Sequence, residues 1–363
     1  MASKTVLMMA GGTGGHVYPA LAVANVLREH GASVHWVGTQ RGLEARVVPE
    51  NQIPLHTLSV TGVRGKGLFQ KLRSVFALGI ALKQALGLLR QLKPDCVVGM
   101  GGYASAPGGL AARLLGEPLI IHEQNAVAGT TNRLLAPFAT RVLCAFDGAF
   151  KGRDARIVGN PVRRDLLERG AKAGYDYRGQ RALRLLVVGG SLGAQILNET
   201  VPAAIAAVNA CGEDSIAVRH QTGAAMEQAV RQSYTQAGIA SADVHAFIED
   251  MATAYEWADV VVCRAGALTV SELAIMGRPS VLVPLPHAID DHQRLNAKHL
   301  ADSGAALLLE QRNLSAESLA TVLRGFVAAP QKLADMAKAA HAAARPDATL
   351  EVASICEEVC AHA

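Results

Sequence analysis

Short apolar runs alternate with stretches of helical period through almost the whole chain. Val6-Leu7-Met8-Met9-Ala10 is too short for a helix and runs into glycines, so it predicts a buried strand. Leu21 to Leu27 follows with helical spacing. Ser33–Val37, Asp95–Gly99, Pro118–Ile121, Arg141–Cys144 and Arg156–Val158 repeat the strand pattern. A polar stretch, Ala171 to Gln180, reads as surface loop. The pattern then restarts at Leu183–Val188, with strands near 216–221, 244–248, 259–263, 280–284 and 305–309. Strands alternating with helices predict an α/β protein of two doubly wound domains facing across a cleft. The first spans 1–163 and the second 164–340, and a last helix within 341–363 crosses back to the first domain.

Residues 68–92 predict one long helix, ended at Lys93-Pro94. Leu68, Leu72, Val75, Leu82, Leu86 and Leu89 form a stripe suited to burial on the sheet. Phe69, Phe76 and Ile80 form a second stripe about 100° away, flanked by Arg73 and Lys83. This second stripe is either a wide core face or a shallow membrane-contact patch with basic neighbours.

Three strand-to-helix turns are rich in glycine. The first, Gly11-Gly12-Thr13-Gly14-Gly15, has four glycines in five positions. It removes Cβ atoms where a ligand could approach, and the next helix aims unpaired amides at the same space, so an anion is expected there. The second is Gly99 to Pro107 and the third Gly189 to Ala194. His16, at the first helix's start, is a candidate general base, because the helix dipole there favours the neutral ring. It reads equally well as a structural histidine bonded to a carbonyl.

Three further clusters carry polar chemistry. His122-Glu123-Gln124-Asn125 ends a strand, the edge where open α/β sheets bind ligands. Arg264 to Glu272 begins another helix, where Glu272 serves either the macrodipole or a ribose diol. In Pro284 to Arg294, the Asp290-Asp291 pair invites a metal, but adjacent acids before a helix more often cap it. Gln293 and the neighbouring imidazoles suit sugar hydroxyls.

Composition narrows the classes. The 363 residues are 50% apolar and only 4% aromatic, as in an α/β protein of two domains. Six scattered cysteines without metal spacing predict reduced thiols in the cytoplasm. No signal peptide and no run long enough to span a membrane is present. The net charge of +4 is uneven: residues 1–163 carry 18 Lys and Arg against 8 Asp and Glu, and the rest 17 against 23. A basic half points to an anionic partner. Nucleic acid is the ordinary candidate, but the basic half has no interleaved aromatics or binding motif, so no nucleic acid is expected and an anionic membrane surface fits at least as well. No glycine loop ends in Gly-Lys-Ser/Thr, and the second strand ends in Gly38-Thr39-Gln40-Arg41 without an acid for a ribose, which argues against an NAD enzyme.

Taken in order, Gly11–Pro19, Gly99–Pro107, His122–Asn125, Gly159–Arg163, Gly189–Ala194, Phe247-Ile248, Ala267–Glu272 and Gln293 with Asn296-Ala297 closely resemble the MurG family. These bacterial glycosyltransferases add N-acetylglucosamine (GlcNAc) to lipid I, undecaprenyl-pyrophosphoryl-MurNAc-pentapeptide, in peptidoglycan synthesis. The resemblance implies a GT-B architecture of two Rossmann-like domains. It implies inverting transfer from UDP-GlcNAc to the C4 hydroxyl of MurNAc, giving lipid II, with no cofactor and no metal.

By motif, Ser191 and Arg163 would contact the nucleotide-sugar and the Ile248 backbone would pair with uracil. Ala267, Leu268 and Thr269 would line the diphosphate, in a donor-binding segment that continues through Val270 and Ser271. Glu272 would hold the ribose and Gln293 the sugar. Thr13, Gly14, Gly15 and Asn125 would close on donor and acceptor from the other domain. His16 would take the proton, helped or oriented by Glu123, and the base is one of these two.

The family works peripherally on the cytoplasmic face of the inner membrane, which suits Phe69, Arg73, Phe76, Ile80 and Lys83 as membrane contacts, and proteins of cell-wall synthesis and division as neighbours. Three residues depart from the family pattern: Leu192 for a frequent Gln, Ala106 for Gly, and Ala265 for a common Ser. Ala106 would cost about 1 kcal/mol if its φ were positive. The competing readings are another GT-B lipid glycosyltransferase, a UDP-GlcNAc epimerase, and a non-catalytic nucleotide-sugar-binding membrane scaffold.

Overall fold

A computed structural model describes residues 3–60, 68–190, 192–210, 215–286 and 288–362, without the side chains of 68–75 and 289. The expected site residue Ser191, His287, and the side chains of Phe69 and Arg73 therefore lie outside the described residues.

The chain divides into two compact units, Met1–Arg163 with Pro346–Ala363, and Arg164–Arg345. In the first unit the order is β1 (Thr5–Met9), α1 (Gly14–Glu29), β2 (Ser33–Gly38), α2 (Glu44–Glu50), β3 (Leu55–Thr57), α3 (Leu68–Leu92), β4 (Cys96–Gly99), α4 (Ser105–Leu115), β5 (Leu119–Glu123), α5 (Thr130–Leu135), β6 (Arg141–Cys144) and β7 (Arg156–Ile157). The strands make one seven-stranded sheet in the order β3-β2-β1-β4-β5-β6-β7, with every pairing parallel.

A parallel sheet is covered on both faces, so its strands are apolar without interruption. The two-residue period still sorts them. Val6, Met8, Val34, Trp36, Cys96 and Val98 join one core with α1. Leu7, Met9, Val37, Val97, Leu119 and Ile121 join the other, with Ala81, Ala85 and Leu89 of α3.

The second unit runs α6 (Arg164–Gly170), β8 (Leu183–Val188), α7 (Gln195–Asn209), β9 (Ile216–Gln221), α8 (Glu227–Gln236), β10 (Asp243–His245), α9 (Met251–Trp257), β11 (Val260–Cys263), α10 (Ala267–Ile275), β12 (Ser280–Leu282), α11 (His292–Asp302), β13 (Ala306–Leu308), α12 (Ala316–Ala328) and α13 (Pro330–Ala343). Its six parallel strands are ordered β10-β9-β8-β11-β12-β13. The last helix, α14 (Ala348–Ala361), buries Val352, Ile355, Cys356 and Val359 in the core of the first unit. Both sheets have the Rossmann strand order, with switch points at β1/β4 and β8/β11. Each unit is a doubly wound parallel α/β sheet, as expected from the alternating pattern.

Four details differ from the sequence expectations. After β2 the structure adds α2 and β3, two elements that the sequence pattern did not single out. In the polar stretch 171–180, Tyr177 is buried and Tyr175 donates to the Asp259 carbonyl, so this loop is a core lid rather than free surface. On α3 the buried face centres on Ala81, Ala85 and Leu89, while Leu82 and Leu86 are half-buried. Phe76 is 72% exposed, and Ile80 and Lys83 are also exposed, so among the described residues the second stripe is not core. Finally, Ala106 sits inside α4 without a positive φ. The left-handed positions are Gly101 and Gly102, at φ +97° and +90°, so the Ala106 methyl carries no such penalty.

Candidate active site

At the β1/β4 switch point two glycine turns pack on each other. A Cβ on Gly102 would lie 2.5 Å from the Gly11 carbonyl oxygen, so only glycine permits this approach. Ser105 locks the second turn down by donating to the carbonyls of Met9 and Gly101 at 2.9 and 2.8 Å. The first turn was expected to hold an external anion; within the protein its Gly12 amide already meets a carboxyl group. Glu44, fully buried at the start of α2, accepts from Gly12 N at 3.0 Å, and from the amide and hydroxyl of Thr39 at 2.9 and 2.7 Å. This is also the acid missing from the end of β2. It arrives from the next helix and grips the loop.

His16 lies in the first turn of α1, its amide bonded to the Thr13 carbonyl at 3.1 Å. Thr13 is exposed, and Gly14 and Gly15 are half-buried beside it. The ring Nδ1 is 2.8 Å from Oε1 of Gln124. Gln124 Nε2 in turn donates to the His122 carbonyl and lies 3.2 Å from His122 Nδ1. His122 Nε2 donates to the Gly159 carbonyl at 2.9 Å. Burial lowers the His122 pKa to about 4, against smaller opposing effects of Gly159 and Glu123, so this imidazole is neutral.

Glu123 does not meet the His16 ring. Its Oε1 accepts from the amide and side chain of Asn125 at 2.9 and 3.1 Å, and its Oε2 from Gly129 N and Asn132 Nδ2, both at 2.9 Å. It shapes the loop that carries Asn125. Gln124 was passed over in the sequence, and so was Asn160, whose buried amide group has no hydrogen-bond partner among the described residues. Arg163 lies 6.0 Å over the Tyr18 ring of α1.

The second unit has its own pair of turns, after β8 and β11. Gly193, at φ +75°, presses against the strand turn at Thr222, where a Cβ would lie 1.8 Å from a carbonyl oxygen. Leu192 beside it is 91% exposed. Gln221 ties this turn to the 247–248 segment, donating to Gly190 O at 3.0 Å and accepting from Ile248 N at 2.9 Å. The Ile248 amide is therefore engaged, and only its carbonyl is left to pair with a base.

At the start of α10, the amides of Ala267, Leu268 and Thr269 have no acceptor among the described residues, whereas Val270 N is bonded to Gly266 O at 2.9 Å. The Val270 side chain is buried, and the Ser271 hydroxyl donates back to Ala267 O at 3.0 Å. The Val270 amide is therefore already engaged within the helix start.

Glu272 is buried in the second turn, too far along to serve the macrodipole, and accepts from the Tyr255 hydroxyl at 3.0 Å. Burial, then the charge of Glu272, pushes the Cys263 thiol up to about 12. Asn296 joins α11 to the same turn by donating to the buried Ala265 carbonyl at 3.2 Å. Gln293 Oε1 accepts from Leu285 N at 2.9 Å, and its Nε2 has no hydrogen-bond partner among the described residues. Asp290 and Asp291 are both left-handed, at φ +53° and +55°. Asp291 pairs with Arg294 and does not cap the helix with its side chain. Among the described residues no group of three or more His, Cys, Asp and Glu is placed to hold a metal ion.

Residues 6–144 match the glycosyltransferase family 28 N-terminal domain, and residues 184–352 its C-terminal domain. A UDP-N-acetylglucosamine–N-acetylmuramyl-(pentapeptide) pyrophosphoryl-undecaprenol N-acetylglucosamine transferase of Alkalilimnicola ehrlichii is 54% identical over 97% of this chain and 98% of its own length. The protein of the same name from Pseudomonas entomophila is 53% identical over 98% of each. The crystal structure of Acinetobacter baumannii MurG superposes with a TM-score of 0.81 at 42% identity, over 98% of this chain and 99% of that one. A UDP-N-acetylglucosamine 2-epimerase structure, 15% identical with a TM-score of 0.65 over 96% of this chain and 94% of its own, shares the fold alone. With both halves of its fold matched and relatives above 50% identity along nearly its full length, the chain belongs to glycosyltransferase family 28 and, within it, to the MurG family.

Proposed function

We propose that this chain transfers GlcNAc from UDP-GlcNAc to the C4 hydroxyl of MurNAc in lipid I, with inversion, to form lipid II. What supports the reading is an anion-ready helix start in the second unit and, separately, an oriented imidazole in the first. The amides of Ala267, Leu268 and Thr269 are fixed dipoles, so they stabilise the charge growing on the diphosphate without reorganising. Ser191 and Arg163 contact the nucleotide-sugar, and the Ile248 carbonyl accepts from uracil. The second oxygen of Glu272 serves the ribose, with Tyr255 holding the first. Gln293 Nε2 and the Ser271 hydroxyl oxygen offer further polar contacts to the donor.

In the step itself, the MurNAc O4 forms a bond to the anomeric carbon of GlcNAc. The bond from that carbon to the β-phosphate oxygen breaks, and UDP leaves with the electron pair. The O4 proton passes to His16, and Glu123 contributes by holding the loop of Asn125, which with Thr13, Gly14 and Gly15 borders the acceptor. Attack opposite the leaving group turns the α-linked donor into a β-1,4-linked product.

The acceptor is a lipid, and Phe76, Ile80 and Lys83 present an exposed apolar and basic edge of α3. No helix among the described residues is long and apolar enough to cross a membrane. The exposed apolar and basic side chains of this edge support peripheral attachment to the anionic cytoplasmic face of the inner membrane, with Phe69 and Arg73 as the further expected contacts. The test is transfer of labelled GlcNAc to a short-chain lipid I analogue, with donor alone as control. Acceptor-dependent β-1,4 disaccharide is the expected product. UDP release or epimerised sugar without acceptor would overturn the reading.

A further inference from the structure

We propose that Gln124 is a positioning residue that sets the proton of His16 on Nδ1 and leaves Nε2 as the basic atom, with His122 and the Gly159 carbonyl anchoring it. The inference rests on the reading of His16 as base, and goes beyond it by assigning the atom and the device that selects it.

The assignment follows from groups that can only accept. The Gly159 carbonyl accepts, so the His122 nitrogen 2.9 Å away, Nε2, carries a proton. His122 is neutral because it is wholly buried, so its Nδ1 is an acceptor. The His122 carbonyl, 3.2 Å from one end of the Gln124 amide, requires that end to be the NH₂ group, and His122 Nδ1 requires the same. Two independent acceptors thus fix the amide orientation that a side-chain amide otherwise leaves ambiguous. The opposite end, Oε1, can only accept, and it faces His16 Nδ1 at 2.8 Å. His16 must therefore donate from Nδ1, and in the neutral ring Nε2 holds the lone pair.

The ring has little room to escape this arrangement. Gly101 backs it so closely that a Cβ there would lie 2.9 Å from His16 Nδ1. Among the described residues Nε2 has no hydrogen-bond partner, so its lone pair is not spent within the protein. The relay does the orienting work of a carboxylate in a histidine–carboxylate pair, but with a neutral amide. It selects the tautomer without adding a negative charge beside a reaction that builds negative charge on a diphosphate.

The experiment is long-range ¹⁵N NMR of the ¹⁵N-histidine-labelled protein without substrates, with His16 assigned by its loss in His16→Gln. The expected wild-type spectrum shows His16 protonated at Nδ1 and not at Nε2 in its neutral form. Gln124→Met, which keeps length and loses the acceptor, should mix the tautomers. It should lower kcat by roughly 10- to 100-fold with donor KM little changed, part of the ~10²–10⁴-fold that a positioned base supplies. Gln124→Glu, which keeps an acceptor toward His16, should restore the Nδ1–H form. A wild-type His16 protonated at Nε2 would overturn the relay without need of any variant, as would an unchanged tautomer and kcat in Gln124→Met. A relay spectrum as expected, with His16→Ala turning over at the wild-type rate, would leave the tautomer standing and sink the base reading on which its catalytic meaning depends.

Discussion

Glu44 reaches from α2 to accept the Gly12 amide at 3.0 Å, putting a protein carboxylate where the first glycine turn was expected to take a ligand's charge. Gly11, Gly38 and Gly42 all crowd this side chain, each lying where an added Cβ would come within 2.7 Å of it. The Gly12 amide is thereby engaged, and the turn is a rigid platform for the start of α1 and for His16. Glu44→Gln replaces an acceptor by a donor facing N–H groups. It should cost about 2–3 kcal/mol of unfolding free energy, the worth of charge-assisted bonds to a buried group. Chemical denaturation measures it, and a loss under about 0.5 kcal/mol, the range of a neutral surface change, would show that Glu44 does not hold the turn.

Two glycines of the second unit should respond to alanine by very different amounts. Gly193→Ala puts a methyl into the Thr222 carbonyl at a left-handed residue, and should cost about 3 kcal/mol or prevent folding. Gly266→Ala meets nothing nearer than the Thr269 hydroxyl at 3.7 Å and has φ −64°, so the fold should lose about 1 kcal/mol at most. If the diphosphate sits on the first amides of α10, the same methyl should raise donor KM with the thermal midpoint nearly unchanged. An unaltered KM would argue against a diphosphate at that helix start.

Buried histidines make the fold acid-sensitive in a definite window. Burial drives His220 down to about 3, where it accepts from or donates to Tyr234 at 2.9 Å. Its folded-state pKa is depressed, so the unfolded chain binds the extra proton. The stability it contributes is whole above about pH 6.5 and is lost as pH falls from there toward the folded value. His220→Gln should therefore flatten unfolding free energy against pH between 6.5 and 4.5, by about 1.4 kcal/mol per pH unit. Denaturant titrations at several pH values measure the slope, and an unchanged slope would mean that His220 is protonated in the fold.

The exposed edge of α3 separates membrane binding from chemistry. Phe76→Glu with Ile80→Glu should abolish co-sedimentation with vesicles containing anionic lipid, while leaving transfer to a water-soluble acceptor within about twofold, because neither side chain is buried. Retained vesicle binding would move the contact to another surface.

Much of this was legible because it depends on local pattern. Apolar runs ending in glycine marked strand ends and switch points, and the residues at those ends, from His16 to Glu272, lie in the turns where α/β sheets bind ligands. What stayed hidden depends on contacts made across the sequence. The acid at the end of β2 looked absent because Glu44 comes from the next helix, and only folding shows that its carboxylate doubles back to Thr39 and Gly12. Glu123 drew attention by its charge, yet the strand period of two puts His122 and Gln124 on one side and Glu123 on the other. That alternation was available in His122-Glu123-Gln124-Asn125 and would have pointed to Gln124. The engaged amides of Ile248 and Val270 could not be read from sequence at all, because backbone bonding has no residue signature.

The most direct test of the account is the turnover of His16→Ala measured beside its affinity for UDP-GlcNAc. Removing the base while leaving the second-unit donor contacts intact should lower kcat by at least ~100-fold, the lower end for a positioned general base, with donor binding unchanged. Equal losses in both, or turnover at the wild-type rate, would contradict a catalytic His16.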